Sequence, residues 1–275
     1  MSMAKKIKLV LSGSGSLYPV HAGAIMCLVQ NGYEIEAVCG VSGGAIIAAI
    51  LASGFKPNIE LVRLIKQTLP GKNNLINYSL WSLATKWGLI DGTKIEKMLE
   101  KHFVKTLGDV TIPLIIATTN VNYGRSQFFS SDRLADKKIS LARVVHASMA
   151  IPLIFCPVKI GTDIHVDGGW VNDFPIDIFG ENSNTVGLCF LSENPGRKLI
   201  SDFKSFIVTL IGTSIEENVR EDIEDNSVGS MINLTSRYTS LNFNISTYDV
   251  QVMIQEGFDC VKKAIKAGKL DGITG

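Results

Sequence analysis

Apolar residues fall in short blocks punctuated by glycine, and the first two blocks set the architecture. Residues 6–12 (KIKLVLS) form a compact apolar run that stops at Gly13-Ser14-Gly15, the pattern of a buried strand entering a turn. Pro19 is placed to open a helix, which the run Ala24–Val29 continues until Asn31-Gly32 ends it. Residues 35–41 (IEAVCGV) predict a second strand, broken by Ser42-Gly43-Gly44. A strongly apolar helix, Ala45 to Ala52, follows and closes at Gly54. Strand, glycine turn and helix, twice in succession, predict βαβ architecture around a parallel sheet.

Helical spacing of apolar residues then covers roughly 58–69 and 92–103. Residues 112–118 (IPLIIAT) predict another buried strand, and 126–129 (SQFF) a short strand that pairs nearby. A helix at about 140–148 precedes Pro152, strands follow near 155–160 and 163–167, and 185–191 (TVGLCFL) reads as a further core strand. The stretches at about 200–224 and 247–267 are helical. With no internal repeat, low-complexity tract or linker, residues 1–275 are expected to form one α/β domain.

Composition narrows the function more than the fold. Hydrophobic residues make up 46% and charged residues 19%, which excludes a disordered or coiled-coil chain. Twenty-seven basic against 26 acidic residues give no electrostatic footprint for nucleic acid. Five cysteines, mostly in apolar runs, read as buried and reduced, in keeping with a cytoplasmic protein. Four histidines and these cysteines show no metal-ligand spacing, so no metal or cofactor is expected. No apolar stretch approaches the ~20 residues of a spanning helix, so any membrane contact is expected to be peripheral.

Candidate chemistry begins at Gly40-Val41-Ser42-Gly43-Gly44, a GxSxG between a predicted strand and a predicted helix. A serine on such a turn needs small neighbours. The helix N-terminus behind it favours negative charge, and Gly43 offers a backbone N–H to an oxyanion. The base that would activate Ser42 is less obvious. An acid-then-histidine order after the serine leaves His102, His146 and His165 as candidates, since no histidine follows His165. A Ser–His–Asp esterase is one reading, with His165 the residue to check, because it lies two positions from Asp167 on the same strand face.

Asp167 ends a predicted strand and precedes Gly168-Gly169. With SGSG at 12–15, GVSGG at 40–44 and DGG at 167–169, the chain closely resembles the patatin-like phospholipase family. The resemblance runs from about residue 7 to 267 and includes Ala147 to Pro152, Phe155, Pro157, Asn172 and Pro175. It implies a three-layer α/β/α fold with a mainly parallel sheet. It also implies a metal-free Ser42–Asp167 dyad that cleaves carboxylic esters of lipids through an acyl-enzyme, with phospholipids or lysophospholipids as substrates. Asp167 must then be partly desolvated to act as a base near neutral pH. Gly40, Gly44, Gly168 and Gly169 support the two turns.

The glycine-rich loop departs from the family pattern. Ser14 stands for the middle glycine, Leu17 for a basic residue and Tyr18 for the last glycine, while His21 and Gly23 match. The loop is expected to line an oxyanion hole through Gly13, Ser14 and Gly15 together with Gly43. If Ser14 requires a glycine-only conformation, activity suffers, and a lipid-binding or regulatory protein of the same fold becomes the rival reading. The segment Leu75 to Ile90, with Trp81 and Trp87, is expected to pack as core, the alternative being an interfacial patch or lid. Asn120 and Asn122 are expected near the site only if the fold brings them there.

Overall fold

The structure, a computed structural model, describes residues 4–67, 78–180, 184–191, 199–201, 203–225 and 229–273. Strands β1 (Lys5–Leu11), β2 (Tyr33–Val41), β9 (Thr185–Cys189) and β10 (Ser230–Asn233) lie parallel, and β2 is followed in the sheet by β4 (Leu114–Asn120), also parallel. Three strands in antiparallel pairings complete it: β5 (Arg125–Ser130) and β8 (Asp163–Asp167), each against β4, and β7 (Val158–Ile160) against β8. The order is β10-β9-β1-β2-β4-β8-β7, with β5 also on β4. A small second sheet pairs β3 (Gly88–Ile90) with β6 (Leu153–Phe155).

The segments expected as strands and helices are found, with boundaries moved by a few residues. The run expected near 155–160 is two strands, β6 and β7, broken at Cys156-Pro157 because proline cannot donate to a ladder. Residues 126–129 are β5, whose partner is β4. Helices α1 (Tyr18–Gln30), α2 (Gly43–Ala52), α3 (Ile59–Gln67), α4 (Leu80–Lys86), α5 (Thr93–Glu100), α6 (Leu141–Ser148), α7 (Phe203–Asp225) and α8 (Thr247–Lys266) surround the sheets. Every residue of α2 is buried, which explains why its sequence carries no polar face.

Close backbone approach ties α8 to α1. A Cβ at Gly23 would run into the Ile254 carbonyl, and one at Gly257 into the Val20 carbonyl. The match of Gly23 to the family pattern therefore has a packing cause.

One feature of the sheet positions the chemistry. β4 carries β5 along one edge, from Ile115 to Asn120. Its other edge is shared: β2 pairs with the first half and ends with Val41 opposite Ala117, whereas β8 pairs with the second half and ends with Asp167 opposite Thr118. Two strands thus arrive from opposite directions and terminate against adjacent residues.

Candidate active site

Ser42 follows Val41 directly and sits between β2 and α2 at φ 50°, ψ −119°. Such a conformation costs a non-glycine residue about 1–3 kcal/mol and persists only where the surroundings impose it. Here the Ser42 N–H donates to Ser148 Oγ at 2.9 Å, and Ser148 Oγ donates to the Ala117 carbonyl at 2.6 Å. The strained turn is therefore pinned to β4 through the end of α6. Ser42 Oγ donates to Asp167 Oδ2 at 2.6 Å.

Asp167 is 1% exposed. Its other oxygen, Oδ1, accepts from the Gly169 N–H at 2.9 Å, across a single 3-10 turn formed by Gly168–Trp170. The DGG motif is thus a strand-to-turn junction that caps its own carboxylate. Burial pushes the Asp167 carboxyl up to about 7, against the opposing pull of the bonds from Ser42 and Gly169. A carboxylate held there suits proton transfer near neutrality.

The glycine loop lies against this pair. Gly13, Ser14, Gly15 and Ser42 all line a cleft of about 780 Å³. Gly43 belongs to the same close contact, since a Cβ on it would run into Ser14 Oγ. The loop's departure from glycine proves harmless to the backbone: Ser14 takes φ −145°, ψ −2°, and the positive φ of 52° falls on Gly15, where glycine is retained. A second, narrow pocket of about 40 Å³ also reaches Ser42. Its walls are apolar: Ile46 of α2, Ile95, Met98 and Leu99 of α5, and Phe155 with Phe243, whose rings meet edge to face at 5.9 Å.

The histidines lie elsewhere. His165 Nδ1 bonds Thr118 Oγ1 at 3.0 Å and its ring tilts over Phe129. His146 Nδ1 bonds Glu96 Oε2 at 2.7 Å, and buried His21 bonds the Ser12 carbonyl through Nε2 at 3.1 Å. Among the described residues no histidine bonds Ser42. Asn120 caps its own loop, bonding Gln127 and Asp163, and Asn122 accepts from the Ile164 N–H, so neither joins the site.

The sequence of patatin-like phospholipases as a family matches residues 9–179, which contain the glycine loop, Ser42 and Asp167. The chain belongs to the patatin-like phospholipase family. It is 28% identical to an uncharacterized protein of Acanthamoeba polyphaga mimivirus, with 94% of this chain and 93% of that one aligned. It is 30% identical to the "Probable lipid hydrolase 463L" of Invertebrate iridescent virus 6, over 62% of each chain. Its fold resembles that of VipD from Legionella pneumophila, at a TM-score of 0.59 and 16% identity, covering 98% of this chain and 67% of VipD.

Two parts of this patatin-like site escaped sequence reading. Ser148 belongs to the family-like stretch Ala147 to Pro152, but its role was not legible there because it depends on where α6 ends relative to β2. Asp173, buried beside Gly13 and Gly169, lines the cleft for the same tertiary reason. The tryptophan segment also differs from expectation. Leu80, Trp81 and Trp87 are exposed by 79%, 76% and 62%, respectively, so they are not core. Leu75 and Ile76 lie outside the described residues. No helix among the described residues is long and apolar enough to cross a membrane.

Proposed function

We propose that the protein hydrolyses carboxylic esters of lipids by acyl transfer to Ser42, with Asp167 as its only proton-transfer partner. The observation that carries this reading is the 2.6 Å bond from Ser42 Oγ to a carboxylate buried enough to titrate near 7. Asp167 takes the hydroxyl proton as Oγ attacks the ester carbonyl carbon. The carbonyl oxygen becomes an oxyanion beside Gly43 and the Gly13–Gly15 loop. Collapse expels the alcohol, which receives the proton from Asp167 and leaves an acyl-Ser42. Water gives a proton to Asp167 as it attacks the acyl carbonyl carbon; the C–Oγ bond then breaks, Asp167 returns the proton to Ser42 Oγ, and the carboxylic acid is released.

The wide cleft has room for an amphipathic ester, and the narrow apolar pocket beside Ser42 is proposed to take only the first carbons of the acyl chain. Phospholipids and lysophospholipids are the substrates favoured. The exposed Leu80 and Trp81 of α4, Trp87 between α4 and β3, and Leu153 of β6 belong to adjoining elements, and β6 also supplies Phe155 to that pocket. Aromatic side chains of this kind anchor at the lipid–water boundary, so this face is proposed to rest peripherally on a lipid surface.

The decisive assay follows hydrolysis of a short-chain nitrophenyl ester and a labelled phospholipid, with EDTA present throughout. Wild type and His165→Ala are expected to turn over, while Ser42→Ala and Asp167→Asn fall to background. Loss in His165→Ala equal to that in Ser42→Ala would favour a Ser–His–Asp triad instead. Lipid binding without turnover in wild type would favour a binding protein.

A further inference from the structure

The hydroxyl of Ser14 has no counterpart in the glycine that the family pattern places there. Its backbone is ordinary, so the serine changes the chemistry of the loop rather than its path. The residue is 4% exposed, and Oγ is covered yet meets no hydrogen-bond partner among the described residues. A buried hydroxyl in that condition is destabilising and calls for an explanation, of which a catalytic role is one. Its position suits that role. Ser14 Oγ lies against Gly43, the first residue of the ten-residue helix α2, and Ser14 shares the lining of the large cleft with Ser42.

We infer that Ser14 Oγ is a side-chain donor to the oxyanion, acting beside the backbone amides of Gly43 and the loop; the inference rests on Ser42 being the nucleophile. When the tetrahedral adduct forms, negative charge develops on the former carbonyl oxygen in the cleft beside Gly43, and rotation of the Ser14 side chain brings Oγ out of its covered position to meet it. The hydroxyl keeps its proton throughout and donates a hydrogen bond. That bond strengthens as the acceptor gains charge, so it stabilises the transition state more than the bound ester. The loop has leucine at position 17 in place of the family's basic residue, and the Ser14 hydroxyl supplies polarity to the same loop.

The test compares wild type, Ser14→Ala, Ser14→Gly and Ser42→Ala for nitrophenyl ester turnover and for the rate at which a fluorophosphonate labels Ser42. Phosphonylation builds charge on a phosphoryl oxygen in the same place. Both Ser14 variants are expected to lose about ten- to hundredfold in kcat and in labelling rate, with KM changed less than about twofold. Ser14→Gly restores the family residue and guards against a packing artefact, and thermal melting reports whether either variant is misfolded. Wild type labelled on Ser42, with both Ser14 variants labelled equally fast, overturns this inference alone. A wild type that neither hydrolyses ester nor accepts the fluorophosphonate overturns the nucleophile assignment and this inference with it.

Discussion

Ser42 and Ser148 are joined backbone to side chain at 2.9 Å, and the same Ser148 hydroxyl passes the connection on to the Ala117 carbonyl of β4. One small side chain thus satisfies a donor and an acceptor in the interior while holding a strained turn. Replacing it with alanine strands both groups. Ser148→Ala is expected to lose about 1–3 kcal/mol of stability in urea unfolding. It should also lose at least about tenfold in kcat, because the turn is free to relax away from Asp167.

Asp167 predicts a pH profile with two opposite faces. The proposed base must be ionised, so kcat/KM should rise with pH and level off above about 7. Stability runs the other way. The folded carboxyl titrates above its ordinary 3.8, so the native state keeps a proton that the unfolded chain releases. The associated stability is intact below about pH 4 and is lost as pH rises through about 7. Asp167→Asn should therefore melt progressively higher than wild type as pH is raised from 5 to 8, while remaining inactive. Parallel pH series of melting curves and kcat/KM check both signs.

His21 acts in the reverse sense. Burial lowers its titration to about 4, with the Ser12 carbonyl bond opposing the shift. Between about 6.5 and 4 the unfolded chain takes up a proton that the native state refuses, so stability falls as the medium is acidified. His21→Gln retains a donor for the Ser12 carbonyl and removes the titration. Urea midpoints at pH 7 and pH 5 should differ less for His21→Gln than for wild type.

The exposed tryptophans separate surface binding from chemistry. Trp81→Ser combined with Trp87→Asn, the latter chosen because Trp87 has φ 63°, should weaken vesicle sedimentation at least about tenfold. Turnover of a soluble short-chain ester should stay within about twofold of wild type. Equal vesicle binding by the variant would remove this face from the lipid-contact proposal.

The glycine-punctuated strands and the Ser42 and Asp167 turns were legible because each is written locally: an apolar run, then residues small enough for a tight turn. The elements that escaped are short ones, β3 at three residues, β10 at four and α4 at seven. Trp81 and Trp87 were misjudged because residue type implies burial, whereas Trp81 on α4 and Trp87 just after it are uncovered. Ser14 reads as a defect in one dimension. In three, the neighbouring Gly15 absorbs the positive φ and leaves the serine unstrained.

The head-on arrival of β2 and β8 at Ala117 and Thr118 makes reactivity wait on two long-range pairings as the chain folds. Ser42 and Asp167 are 125 residues apart and meet only after one edge of β4 has accepted both strands. Each pairing closes a long loop, the slow kind of step in sheet assembly. A chain halted with β1, β2 and β4 in place has a serine on its turn and no acceptor for its proton. During refolding, labelling of Ser42 should lag the first return of β-sheet signal, making the serine a chemical clock for the docking of β8.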